Sequence, residues 1–193
     1  MKFTRTLIAL SAATLMATSA MAMEPAEYKA AKDQISADYK ANKQKCDALQ
    51  GNAKDVCQKE AKGAEKVAKA ELDARYKPSD KAAYKARVAK ADADYEVAKE
   101  KCDDLSGNVK DECVKDAKAA HVSAKENAKV ARAAAKPADN TAAKQADVAE
   151  ARKDAAAEKN EANYKAAKER CDALSGDAKS KCVDDAKRMH GQS

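Results

Sequence analysis

The sequence predicts an all-α protein made of three tandem antiparallel helical hairpins, each closed by a disulfide bond. Three observations lead to this fold class. Ala, Glu, Lys, Leu and Arg make up more than half of the 193 residues, which is typical of long helices. The six cysteines fall into three pairs with the same spacing. Apolar residues before the second pair recur with the alternating three- and four-residue spacing of a coiled-coil seam.

Residues 1–22 have the pattern of a cleavable signal peptide. Lys2 and Arg5 precede a short, mainly apolar run, and Ala20 and Ala22 occupy the small-residue positions of a cleavage site. The run is shorter than the roughly 20 residues that span a bilayer, so an uncleaved membrane anchor is the alternative that we favour less. We expect a soluble periplasmic protein without a transmembrane segment, whose net charge falls from +6 to +4 because cleavage removes two positive charges.

A twelve-residue cysteine segment occurs three times without gaps. Each copy begins Cys-Asp; Leu, Gly and Lys follow the first Cys by three, five and eight residues, and the second Cys follows by eleven. Six cysteines allow 15 pairings, and the repeat selects one within each copy. Bridges between chains are the alternative. The predicted disulfides are Cys46–Cys57, Cys102–Cys113 and Cys171–Cys182.

Each copy is predicted to fold as a helix, a tight turn and a second helix. A Tyr lies seven residues before each first Cys, and we expect it to form the hairpin core with the Leu that follows that Cys, packed against small residues such as Ala64 and Ala120. The expected core residues are Tyr39, Leu49, Tyr95, Leu105, Tyr164 and Leu174.

Glycine marks the turn of each hairpin, at Gly51, Gly107 and Gly176, where a left-handed backbone conformation is expected. The Asn or Asp that follows each Gly is expected to cap the second helix. Pro78 and Pro137 separate the hairpins. The expected units are residues 24–77, 79–136 and 139–193, packed as a loose bundle or strung into an extended rod.

The sequence contains no recognisable catalytic, cofactor-binding or metal-binding motif, and we expect no enzyme. Structural zinc sites place two Cys two to four residues apart, unlike the pairs found here. The two histidines, His121 and His190, are not counted among the repeated positions. Alternating Lys and acidic residues indicate solvated helix faces. A redox switch based on the disulfides stays open.

The sequence resembles two known protein families. The Ala/Lys-rich helices behind an export signal resemble the helical middle region of TolA-like cell-envelope proteins, which lacks this cysteine repeat. The pattern that runs from Cys171 through Gly176, Asp177, Ala178 and Lys179 to Cys182 is similar to the phosphate-starvation PsiF repeat, whose cysteines lie further apart. Neither resemblance implies a functional residue.

The sequence therefore predicts a non-enzymatic periplasmic protein that acts by interaction, as an envelope scaffold or a stress-associated factor. Other envelope proteins are the expected partners. Two alternatives remain. One is a holdase-like periplasmic chaperone, and the other is a weak binder of polyanions such as lipopolysaccharide, anionic lipid or nucleic acid. The oligomeric state is left open.

Overall fold

Six helices form the fold in a computed structural model that describes residues 23–192. The predicted signal peptide and its cleavage residues, Ala20 and Ala22, lie outside this range. The helices are α1 (Pro25–Cys46), α2 (Gly51–Tyr76), α3 (Asp80–Lys101), α4 (Gly107–Ala135), α5 (Thr141–Arg170) and α6 (Gly176–Met189). Short 3-10 turns at Cys102–Asp104 and Cys171–Ala173 follow α3 and α5. The described chain contains no strand, so the all-α prediction is confirmed.

The helices lie side by side in a single row. Every extensive contact joins helices that are consecutive in the chain, and neighbouring helices run antiparallel. Contacts between hairpins, α2 with α3 and α4 with α5, are more extensive than those within hairpins. The three disulfide turns therefore lie along one edge of the row, where one set of helix ends meets. The two proline-containing links lie along the opposite edge. Within the described range, no helix combines the length and apolar character needed to cross a bilayer.

The ends of the helices follow from local residues. Pro78 and Pro137 lie in the breaks before α3 and α5, because proline disfavours helical conformation in the residue before it. Ser79 and Asn140 then cap these helices: their side-chain oxygens accept hydrogen bonds from the backbone N–H groups of Ala82 and Ala143.

Alanine and cysteine dominate the interior. Leu72 is the only large aliphatic side chain that is fully buried among residues 23–192. The small residue four positions after each second Cys is buried, at Ala61, Ala117 and Ala186. Alanine lets the helices approach closely, but it buries little apolar area, so the disulfides supply a large part of the constraint on the chain.

Two predictions about the hairpin core are wrong. The leucines of the repeat are 40%, 38% and 42% exposed at Leu49, Leu105 and Leu174, because each first helix ends near its Cys and the coiled-coil spacing cannot continue into the turn. Ala64 and Ala120 are exposed as well, whereas Gly63 and Ala119, one residue earlier in each helix, are buried. Tyr95 instead stacks on His121.

Candidate functional site

The end of each hairpin, which we call its tip, is built around one disulfide. The Cα–Cα distances are 5.6, 5.7 and 5.7 Å for the first, second and third bridge, which confirms the three local pairings. The first Cys of each pair is fully buried. Gly51, Gly107 and Gly176 have φ of 55°, 57° and 56°, so the left-handed turn prediction is confirmed at all three tips.

An ion pair crosses every tip and explains two further positions of the repeat. The Lys eight residues after the first Cys lies against the Asp one residue after it. The Nζ–Oδ1 distances are 3.3 Å for Lys54–Asp47, 2.8 Å for Lys110–Asp103 and 2.7 Å for Lys179–Asp172. Hydrogen bonds from these lysines lower the pKa of Asp103 and Asp172 below the ordinary value for an aspartate.

The expected cap at the residue after each Gly does not form. The Gly is already the first residue of the second helix, so the residue before it is the N-cap. The side-chain amide of Asn52 instead donates to the backbone oxygen of Glu100 in the next hairpin. The amide of Asn108 donates to the carboxylate of Glu112 within the same helix.

A repeated ion pair joins neighbouring hairpins. The Lys two residues after the second Cys pairs with the Glu two residues before the first Cys of the next hairpin. These pairs are Lys59–Glu100, at 3.6 Å, and Lys115–Glu169, at 3.3 Å. In the first and last helices of the described row the same positions hold Gln44 and Asp184, which form no ion pair among residues 23–192.

We did not predict this inter-hairpin ion pair, which we call the clamp, from the sequence. The sequence does contain the pattern, since this Lys and this Glu recur only at positions that face another of the three hairpins. A second repeated pair lies beside each clamp: Glu60 with Lys101, and Asp116 with Arg170. The two joints between hairpins are therefore bridged by ion pairs at equivalent positions of the repeat.

The two histidines occupy equivalent positions of the second and third hairpins, contrary to our prediction, whereas the first hairpin has Glu65 there. His121 and His190 each lie eight residues after the second Cys of their hairpin. The Nε2 of His121 is 2.6 Å from Oδ1 of Asp92, and its Nδ1 is buried without a hydrogen-bond partner. Its ring stacks on Tyr95 with a centroid distance of 4.6 Å.

A groove of about 610 Å³ crosses the face of the row where the first two hairpins meet. Tyr39 of α1 and Tyr95 of α3 both line it, so the fold brings two of the three repeated tyrosines to one site. The third, Tyr164, is partly buried and does not line this groove. The volume of this open groove lies within the range of small-molecule sites.

The α2 side of this groove differs from the corresponding surface of α4. Gln58, Gly63 and Lys66 line the groove at the first joint. The same repeat positions in the second hairpin are Val114, Ala119 and Val122, with Ala119 buried and both valines partly buried. Because the second hairpin has partly or fully buried apolar side chains at these positions, the repeat itself does not require polar ones in the first.

Charges in the groove are only partly paired. Lys59 Nζ lies 3.1 Å from the carboxylate of Glu96, and this hydrogen bond raises the pKa of Lys59 and lowers that of Glu96. Three other lysines of the groove have no ion-pair partner among the described residues, and Asp55 is its one carboxylate without such a partner. These lysines are Lys43, Lys62 and Lys66.

The arrangement can hold a ligand or a partner segment by charge and by contact with tyrosine rings. Among residues 23–192, no group of three or more His, Cys, Asp or Glu side chains could hold a metal ion. In comparisons with known proteins, no family model, curated protein or solved structure matches the chain. The functional proposal therefore depends on the geometry alone.

Proposed function

We propose that the chain is a non-enzymatic interaction protein of the periplasm, an envelope scaffold or stress-associated factor that receives a partner protein in the groove between its first two hairpins. The observation that carries the proposal is the difference between repeats at the groove, where Gln58 and Lys66 occupy positions that hold partly buried valines in the second hairpin. Polar side chains beside two tyrosines, at positions that are apolar in the second hairpin, are typical of a binding site.

The disulfides support the proposed compartment. All six cysteines are paired, and the three bridges lie at equivalent positions. Structural disulfides persist in oxidising compartments such as the periplasm and are rare in the cytosol. This agrees with the export signal that the sequence predicts.

A photo-crosslinking amino acid tests the groove in the native envelope. It replaces Lys66 in one variant and Val122, the same position of the repeat in the second hairpin, in the matched control. We expect a defined protein adduct from position 66 and none from position 122. Absence of any protein adduct at position 66, or the same adducts at both positions, would contradict the proposal.

Weak polyanion binding is a second candidate, favoured by the unpaired Lys43, Lys62 and Lys66. Heparin serves as a model polyanion. The K62Q/K66Q variant should bind it more weakly than the parent, with a shallower salt dependence, because each lysine that contacts the polyanion releases about one counterion. The control K144Q/K153Q removes two exposed lysines of α5. Equal losses in both variants would indicate a general charge effect and exclude the groove.

A further inference from the structure

Helix α1 forms part of the groove, although it packs on the row from one side only. Tyr39 and Lys43 of α1 line the groove together with residues of α2 and α3. Among the described helices α1 has extensive contacts with α2 alone, whereas α3 packs on both α2 and α4. The position of Tyr39 and Lys43 in the groove therefore depends on the contact between α1 and α2.

Noncovalent contacts between α1 and α2 are few. In the described chain no residue of α1 forms an ion pair with another helix. The Tyr28 hydroxyl donates a hydrogen bond to Oδ1 of Asp73 at 2.6 Å, and its ring stacks on Tyr76 with 4.2 Å between centroids. The one buried residue of α1 is Cys46, the bridging cysteine itself. The Cys46–Cys57 bridge is therefore the main constraint on the end of α1 that faces the tip.

The first helices of the other two hairpins have further attachments. The clamps tie α3 and α5 to the preceding hairpin through Lys59–Glu100 and Lys115–Glu169, which do not depend on a disulfide. Helix α6 forms no ion pair with α5 among the described residues, but no residue of α6 lines the groove. Only the first bridge thus constrains a helix that both belongs to the groove and has no clamp.

We propose that the redox state of the Cys46–Cys57 bridge controls the groove. The disulfide keeps α1 in place, and its reduction releases α1 and removes Tyr39 and Lys43 from the binding site. The bridge closes a short loop between residues 11 positions apart, and without it the open arrangement becomes about a hundredfold more favourable. A partner then binds more weakly, in proportion to the fraction of chains with α1 in place. This inference rests on the proposed function of the groove and adds its regulation.

The reductant is a dithiol. One thiolate of the dithiol attacks the sulfur of Cys57, which is partly exposed, whereas Cys46 is fully buried. A bond forms between that thiol and Cys57, and the sulfur of Cys46 leaves as a thiolate and takes up a proton. The second thiol of the dithiol loses its proton and attacks the dithiol sulfur bonded to Cys57, which releases Cys57 to take up a proton. Two electrons pass to the bridge, and the dithiol ends as a disulfide.

Hydrogen–deuterium exchange of the α1 amides tests the release without any partner. Three variants each replace both cysteines of the first, second or third bridge with alanine: C46A/C57A, C102A/C113A and C171A/C182A. We expect α1 to exchange about a hundredfold faster than in the parent when the first bridge is removed. Removing the second or third bridge should leave α1 exchange unchanged, because neither joins α1 to the row. The third is the closest control, since it also frees an end helix of the described row, α6.

The parent protein in dithiothreitol should show the same fast exchange of α1 as the variant without the first bridge. Three results would overturn the proposal. One is slow α1 exchange, either in that variant or in the parent with dithiothreitol. Another is an equal increase in every helix, and the third is loss of the whole helical signal in circular dichroism when the first bridge is removed. The last two would show that the bridge holds the entire row and not α1 alone.

Photo-crosslinking from position 66 connects the release to the groove. The adduct formed with all three bridges present should be lost when the first bridge is removed, and it should persist when the third is removed. An equal yield without the first bridge would refute the regulation and leave the proposed function standing. If no adduct forms even with all three bridges, the proposed function fails, and the exchange measurement alone decides whether the bridge controls α1.

Discussion

A close approach of α2 and α3 makes Gly63 a sensitive position. A Cβ atom at Gly63 would lie 2.9 Å from the Cβ of Ala93 in α3, whereas ordinary contacts between carbon atoms are about 3.5–4.0 Å. The facing methyl is fixed to a helix backbone and cannot rotate away. Gly63→Ala therefore requires α2 and α3 to separate by about 0.6 Å or more.

Two effects of opposite sign determine the result. Overpacking a tight contact costs about 1–3 kcal/mol. Alanine is better than glycine inside a helix by about 1 kcal/mol, which offsets part of that cost. We expect G63A to lower the free energy of unfolding by up to about 2 kcal/mol, as measured by urea denaturation followed at 222 nm.

A second variant isolates the contact. In A93G the facing methyl is absent, and the remaining distances from a Cβ at position 63, 3.6 Å to the Cα and 4.0 Å to the carbonyl oxygen, are ordinary contacts. G63A added to A93G should therefore stabilise by about 1 kcal/mol, the helix-propensity gain alone. If G63A stabilises the parent by the same amount, α2 and α3 do not approach as closely as the structure shows, and the reasoning fails.

Three other predictions follow from the same structure. Opening the middle bridge with C102A/C113A should cost about 3 kcal/mol, because a closed loop of this length restricts the unfolded chain; an unchanged urea midpoint under oxidising conditions would contradict it. Leu72→Ala should cost about 2–5 kcal/mol, measured in the same way, since it empties the one buried large aliphatic site among the described residues; a cost below 1 kcal/mol would show that the row collapses around it. The pKa of Glu96 is lowered by its hydrogen bond from Lys59, so the stabilisation is present above pH 4.5, the ordinary glutamate value, and is lost as the pH falls through the lowered value. The melting temperature of E96Q should therefore fall less than that of the parent between pH 5 and pH 3, and parallel curves would refute this.

Much of the fold could be predicted from the sequence, because it depends on the spacing of residues that lie close together in the chain. Two cysteines eleven residues apart, with a Gly between them, can approach only through a tight turn, so pairing and turn conformation were both readable at Cys46–Cys57 and its two copies. The proline breaks were local as well. The predicted leucine core failed because a coiled-coil pattern extends only as far as its helix, and the helix ends at the cysteine.

The sequence by itself determined the helices, the turns and the bridges, because each depends on residues within about a dozen positions of one another. Only the tertiary structure decided that the hairpins stand in a row, since the Lys59–Glu100 and Lys115–Glu169 clamps act between segments about 40–55 residues apart. That row brings Tyr39 and Tyr95 to one groove. The groove is thus a product of packing between repeats that read as near-equal copies in the sequence.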